Sequence, residues 1–323
     1  MAQMDNKPSH WLLETAIYSL SRLSHRGAIA PDGKTGDGCG ILMKKPDAFL
    51  RSLASEAGIN LNPLYAAGSI FLNQDKLLAA NALARLEKEL RQEKLDLVWQ
   101  RPLPINPEAC GESALQSIPH FVQVFVNAPE AMDEQSFERH LYKARRRTEL
   151  ALETKDKIFY IASLSCRMLS YKGMIMPHNL KEFFLDLKDP RLETSLCLYH
   201  QRFSTNTFPK WSLAQPFRLL AHNGEINTIR GNRNWSISRE SKYSTPLIEN
   251  IQELLPLVSK HGSDSMSLDN MLEGLLMTGV DLLQAVKILI PPAWQNSKLI
   301  DPDLKAFYEY YSLHMDPWDG PAA

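Results

Sequence analysis

Arg202 closes the run Tyr199-His200-Gln201-Arg202, and Ser204, Thr205, Asn206 and Thr207 follow within the next five positions. A guanidinium can grip a carboxylate through two parallel N–H bonds. The polar loop after it can hydrogen-bond a ligand or its own turn. About twenty positions on comes His222-Asn223-Gly224-Glu225. An Asn-Gly turn can aim a side-chain amide and a backbone N–H at one oxygen, as an oxyanion hole does. Together the motifs suit a pocket for an amino acid whose side-chain amide is attacked. Gly262-Ser263-Asp264-Ser265 adds a carboxylate suited to the ammonium of that amino acid. Each motif also has a plainer reading. Arg202 could pair with an acid at the surface, Asn223-Gly224 could turn a hairpin, and Asp264 or its serines could cap a helix beginning near Ser267.

His25-Arg26-Gly27-Ala28 and then Asp32 to Gly38 contain Gly-Lys-Thr. A phosphate-binding loop would need glycine where Ala28 stands and a strand ahead of it, where an amphipathic helix is expected. A glycine-rich wall of a small-molecule pocket fits better. Cys39 is the internal candidate for a nucleophile, but no base or helix start is evident beside it, and it reads better as a small apolar residue opening a strand.

The elements that must position these residues follow from periodicity. Leu13, Ala16, Ile17, Leu20 and Leu23 predict a helix from about His10 to Leu23 with Ser9 as N-cap. A strand is expected at Gly40–Met43. Residues 66–165 alternate strand and helix: a strand at 68–72, a helix at 76–93, strands at 95–99 and 121–126, a helix at 134–152 and a strand at 159–164. Strand–helix–strand twice over is the split βαβ, ferredoxin-like pattern. Strands at 169–175, 194–203 and 217–221 come next, and helices at 227–240, 267–277, 280–289 and 304–313 fill the last third.

With 323 residues, 44% hydrophobic and 23% charged, the chain has the composition of a soluble globular protein. Its formal net charge of −1 argues against nucleic acid or an anionic membrane as partner. Arg145-Arg146-Arg147 has glutamates nearby and reads as a solvated helix face. The four cysteines lack metal-ligand spacing, and no apolar run approaches a membrane span, so reduced thiols in a cytoplasmic protein are expected.

The phrases SHRGAIAPDGKTGDGCGILMKKP, YHQRFSTNTFPKWSLAQPFRLLAHNGEINT, GSDSMSLDNMLE, PPAWQN and HMDPWDGPA resemble the class II glutamine amidotransferases, and within them the amidotransferase domain of glutamate synthase. The resemblance covers essentially the whole chain. It implies an α+β fold, a four-layer αββα sandwich of the N-terminal-nucleophile hydrolase type, with residues 66–165 as an inserted βαββαβ segment and the domain (residues 1–323) incomplete at both termini. It implies that Arg202 holds the α-carboxylate of L-glutamine, with Thr205 in the same loop, and that Asp264 holds the α-ammonium. Asn223 and Gly224 would form the oxyanion hole, and Arg26 would lie near the nucleophile. Ammonia would pass to a synthase domain carrying FMN and an iron–sulfur cluster, served by a small electron-donating subunit. Neither a cofactor nor a metal is expected in this chain itself.

In that family the nucleophile is an N-terminal cysteine in a start such as Cys-Gly-Phe-Gly-Leu, running into the region that matches Met1-Ala2-Gln3-Met4. No cysteine precedes Cys39. The chain as written is therefore expected to be a fragment that does not hydrolyse glutamine, since losing the nucleophile of a concerted site costs on the order of 10⁶ in rate. The alternatives are a pseudo-amidotransferase that binds glutamine or glutamate without chemistry, and an unstable fragment with open sheet edges.

Overall fold

Ser9 accepts the Leu12 amide on its hydroxyl, and from that cap helix α1 runs over His10–Ser21, burying Leu12, Leu13, Ala16, Ile17 and Leu20. The computed structural model describes residues 1–202, 207–259 and 262–318. They fall into two units, Met1–Ala221 and a second beginning at His222.

The first unit holds seven strands among its described residues: β1 (Cys39–Lys44), β2 (Tyr65–Leu72), β3 (Asp96–Pro102), β4 (His120–Asn127), β5 (Tyr160–Ser165), β6 (Met168–Gly173) and β7 (Cys197–Gln201). Helices α2 (Asp47–Glu56), α3 (Lys76–Gln92) and α5 (Glu134–Leu152) lie between them, with the single turns α4 (Glu112–Leu115) and α6 (Leu180–Phe183). Two antiparallel sheets result, of order β6-β1-β7 and β3-β4-β2-β5. In the second sheet the strands of each βαβ pair are separated by one strand of the other pair, the arrangement the repeated strand–helix–strand pattern predicts.

The inner strands of that sheet, β2 and β4, are buried on both faces, while its edge strand β3 is exposed or half-buried. Ala66, Ile70 and Leu72 of β2 and Val122, Val124 and Val126 of β4 pack with Leu86 and Leu90 of α3 and Phe137 and Leu141 of α5. The alternate residues point the other way. Phe71 and Phe121 meet edge to face at 5.0 Å, and Phe121 also packs on Phe184 and Trp211. The two sheets are joined by Lys172, whose Nζ donates to Tyr160 Oη at 3.3 Å, and by Ser170 N to Ser163 Oγ at 3.1 Å. With α1 against β7 and α3 and α5 outside the second sheet, the order is helix, sheet, sheet, helix. The chain is α+β, a four-layer αββα sandwich.

The second unit is helical, with α7 (Ile229–Arg239), α8 (Asp264–Met277), α9 (Leu282–Leu289) and α10 (Pro302–His314). Ser263 caps α8 by accepting Met266 N at 3.1 Å. Asp281 and Asp301 cap α9 and α10 in the same way.

Two expectations are corrected. Residues 217–221 form no strand: Phe217 N–H closes a turn on Leu220 O, and Arg218 is buried against Glu149 of α5 at 2.5 Å, which pulls the segment out of any ladder. The helix expected from Ser267 begins three residues earlier, at Asp264, because Ser263 and not a later residue supplies the cap. The arginine run is corrected as well, since Arg145 and Arg146 are buried and bond Glu149.

Glu93 ties α3 to α5. Burial alone would raise its carboxyl, but hydrogen bonds from His140, Lys143 and Arg147 outweigh it and hold the value at about 2. The folded-state value lies below the ordinary 4.5, so this network stabilises the fold above about pH 4.5 and loses its contribution as pH falls towards 2. Glu93→Gln should cost about 3 kcal/mol at neutral pH, the scale for breaking a buried ion pair. Urea melts of both proteins should show that difference shrinking between pH 4.5 and pH 2; a pH-independent difference would contradict this account.

Candidate active site

Arg202 lies one step beyond the last β1–β7 pair, and its N–H donates to Gly38 O at 2.9 Å. The residue is 4% exposed. Its Nη2 donates to Thr207 Oγ1 at 2.5 Å and its Nη1 to Asp37 O at 3.5 Å. A buried guanidinium needs acceptors around it, and these two fix the direction of the fork.

The loop that supplies Asp37 is itself fastened. Asp32 accepts from Lys34 N, Thr35 N, Thr35 Oγ1 and Ser113 N at 2.6–3.0 Å. The Thr35 hydroxyl above all, then these amides, hold the Asp32 carboxyl well below the usual carboxylate range. Asp37 Oδ2 accepts Ala28 N at 3.1 Å. Gly38 takes φ +114°, and a Cβ there would lie 2.9 Å from Ala214 Cβ and 3.1 Å from Gly173 O. Glycine is thus required by both conformation and close approach.

Arg26 is exposed at the end of the short turn Ser24–Arg26. Its neighbour Gly27 sits so close to the end of β7 that a Cβ would fall 1.9 Å from Gln201 Nε2 and 3.4 Å from Arg202 O. Arg26 is therefore one residue from the backbone of Arg202. Thr205 lies outside the described residues.

At the other end of β7, Met1 and Cys197 exchange both backbone hydrogen bonds at 2.9 Å. Ala2 bridges Leu196 in the antiparallel sense.

None of the four cysteines has the surroundings of a nucleophile. All are buried. Burial pushes the Cys110 thiol up to about 11 and that of Cys197 up to about 12. It drives those of Cys39 and Cys166 higher still. Since the thiolate is the reactive form, Cys39 is the packed residue at the start of a strand that its context suggested. Among the described residues no three His, Cys, Asp or Glu side chains are grouped to hold a metal ion. No described helix is long and apolar enough to cross a membrane.

In the second unit, Asn223 and Gly224 lie in an irregular segment with neither a turn nor a bend, unlike the tight turn expected of Asn-Gly, and that segment is fastened to the start of α8. His222 Nδ1 lies 2.9 Å from Ser265 Oγ, and Ile226 N donates to Asp264 Oδ2 at 2.9 Å. Between these anchors Asn223 is exposed and Gly224 half-buried. Asp264 Oδ1 also accepts Ser265 N at 2.6 Å and Ser265 Oγ at 3.1 Å. A carboxylate oxygen has two lone-pair directions, and of Asp264's described bonds only one falls on Oδ2. The structure thus gathers Arg26, Asp37, Arg202 and Thr207 in the first unit and His222, Asn223, Gly224, Asp264 and Ser265 in the second. Thr207 was read from the sequence only as part of the polar loop after Arg202, and Asp37, His222 and Ser265 were given no role, though each adjoins or lies near a residue that was.

The family model described as glutamine amidotransferases class-II matches residues 1–323. The chain belongs to this family. Along its whole length it is 39% identical over 332 residues to ferredoxin-dependent glutamate synthase 2 of Synechocystis, of which it covers 21%. It is 37% identical over 324 residues to the glutamate synthase [NADPH] large chain of Bacillus subtilis, again covering 21% of that protein. Over 97% of this amidotransferase chain it is 38% identical to glutamate synthase [NADH] of Schizosaccharomyces pombe, covering 15% of it. The chain spans about a fifth of the length of these relatives.

The buried thiols give a direct check. In the folded amidotransferase chain at pH 8, iodoacetamide should label none of Cys39, Cys110, Cys166 and Cys197 within minutes, and all four after denaturation, as read by mass spectrometry. Rapid labelling of Cys39 in the folded protein would restore it as a candidate nucleophile.

Proposed function

We propose that the chain is the glutamine-hydrolysing part of a glutamate synthase, binding L-glutamine through Arg202 and Asp264 and stabilising the oxyanion of amide attack with Asn223 and Gly224. The observation that carries this reading is the register at the first residue. Met1 is paired with Cys197, so a segment ahead of it runs along β7 towards the buried Arg202. A cysteine at the fifth position ahead would stand level with Arg202 and near Arg26. The family's start, Cys-Gly-Phe-Gly-Leu, puts its cysteine at that position.

The chemistry then needs few parts. The thiolate attacks the amide carbon of glutamine, with its own α-amino group as the base. The Asn223 side-chain amide and the Gly224 N–H receive the developing oxyanion, worth about 3–4 kcal/mol per donor. Ammonia leaves and water hydrolyses the thioester. Arg202 and Asp264 hold the two charged ends of the substrate and so fix which carbon meets the sulfur. Thr205, in the loop after Arg202, belongs to the same proposed carboxylate site.

We place the later use of ammonia in a synthase domain of a longer protein, with the flavin and iron–sulfur chemistry there. The relatives' names carry three electron donors, ferredoxin, NADPH and NADH, at 37–39% identity to this chain. Their similarity to it does not follow the donor, which supports a separation of glutamine chemistry from electron supply. The buried reduced thiols fit a reducing compartment such as the cytoplasm.

The test is a chain extended by Cys-Gly-Phe-Gly-Leu directly ahead of Met1, with a free N-terminus. It should release ammonia from glutamine, at a rate at least 10³-fold above its Cys→Ala counterpart, given the size of nucleophile effects. Arg202→Ala and Asp264→Ala should each abolish calorimetric binding of glutamine in folded protein. Tight binding without turnover by the extended chain would favour the pseudo-amidotransferase reading. Neither binding nor turnover would sink both.

A further inference from the structure

The three residues Asn223, Gly224 and Glu225 are held at both ends by consecutive residues of α8: His222 ahead of them meets Ser265, and Ile226 behind them meets Asp264. His222 is 5% and Ser265 4% exposed, so water does not compete for either group. Ser265 Oγ lies within hydrogen-bond reach of Asp264 Oδ1, at 3.1 Å, as well as of His222 Nδ1. An ionised carboxylate only accepts, and a hydroxyl has one proton. Taken together as hydrogen bonds, the two contacts send that proton to Asp264 and have His222 donate from Nδ1. The chain of donors runs His222 Nδ1–H to Ser265 Oγ–H to Asp264 Oδ1. On the far side Arg233 of α7 braces the same helix start, its Nη2 donating to Gly262 O at 2.7 Å and Ser267 Oγ at 3.3 Å.

We propose that His222 and Ser265 are positioning residues of the amidotransferase, forming with Asp264 one hydrogen-bonded relay that fixes both the oxyanion segment and the carboxylate for the substrate ammonium. This rests on the reading of Asn223, Gly224 and Asp264 given above. Asp264 then has two tasks. Its Oδ2 keeps a lone pair for the ammonium while accepting Ile226 N, and its Oδ1 orients Ser265 and through it His222. The segment is exposed at Asn223 and belongs to no strand, and these two bonds tie both its ends to α8. Misplacing a catalytic group by about 1 Å can cost 10²-fold, and loss of the relay removes the bond between His222 and α8.

Two readouts test this independently of each other. In the chain itself, nitrogen-15 NMR at pH 8 should find the neutral His222 ring protonated at Nδ1. Ser265→Ala should release that tautomer and speed amide exchange at Gly224 and Ile226 at least tenfold, whereas Ser265→Thr should leave both unchanged. In the Cys-extended chain, Ser265→Ala should lower kcat at least tenfold with KM within threefold, and Ser265→Thr should restore kcat. His222→Asn, which keeps a donor at the Nδ1 position, should retain most of kcat and serves if the alanine variant fails to fold. An unprotonated Nδ1, or a folded Ser265→Ala protein with unchanged exchange, overturns the relay. If the extended wild-type chain hydrolyses no glutamine, the functional reading fails while the tautomer and exchange data still decide the relay.

Discussion

The antiparallel register of β7 against β1 is the constraint on which the first unit's part of the site depends. Cys39 faces Gln201 and Met43 faces Cys197, and the next amide along, that of Arg202, still bonds Gly38 O. A slip of one residue would turn every β7 side chain to the other face of the sheet. It would also carry Arg202 away from Asp37 and Thr207. The same strand takes the pairing with Met1 and the packing of α1. The position of the Arg202 guanidinium and the pairing of Met1 are therefore one geometric fact. The glycines serve that fact: Gly27 lets a turn press against Gln201, Gly38 admits Ala214, and Gly40 leaves its would-be Cβ 2.4 Å from Lys172 Cβ.

Buried charge does the corresponding work where no ladder is available. Lys172 is fully buried and donates to Ser212 O at 3.1 Å and Ala214 O at 2.8 Å. Glu149 gathers Arg145, Arg146 and Arg218, whose charges outweigh its burial and hold its carboxyl at about 2. These groups pin residues 212–218, a stretch that leaves β-pairing altogether. Replacing such pairs by apolar residues often leaves stability unchanged or higher. Here they select one path for an irregular backbone whose carbonyls would otherwise lack donors.

The long periodic elements were legible. Residues 134–152 carry a helical pattern and form α5 over that range, and α3 ends one residue short of its expected limit. Helix α2 was not read, although Phe49, Leu50 and Ala54 bury one face, because ten residues give a short pattern between two loops. Residues 217–221 look like a strand by composition, yet the partners that decide their path, Glu149 and Lys172, are distant in sequence. The family was legible in the phrases around Arg202, Asn223, Gly224 and Asp264 because motifs name residue types. Their supports were not, since Thr207, Asp37, His222 and Ser265 act through contacts that spacing does not encode.

The relay at α8 follows from what an oxyanion hole requires. Donors stabilise a developing charge only if they are already aimed before it appears, because reorientation during the reaction would consume the gain. An Asn-Gly pair supplies two donors from adjacent residues but also the loosest backbone in the segment. The structure answers this by fixing both ends of the segment to consecutive residues of one helix start. Placing Asp264 at that start adds a second consequence. Its carboxylate is favoured there by the helix dipole, and the same group that would receive the substrate's ammonium already bonds the segment's last anchor. In the proposed site, substrate recognition and oxyanion geometry would then share a single side chain, so neither could be altered without disturbing the other.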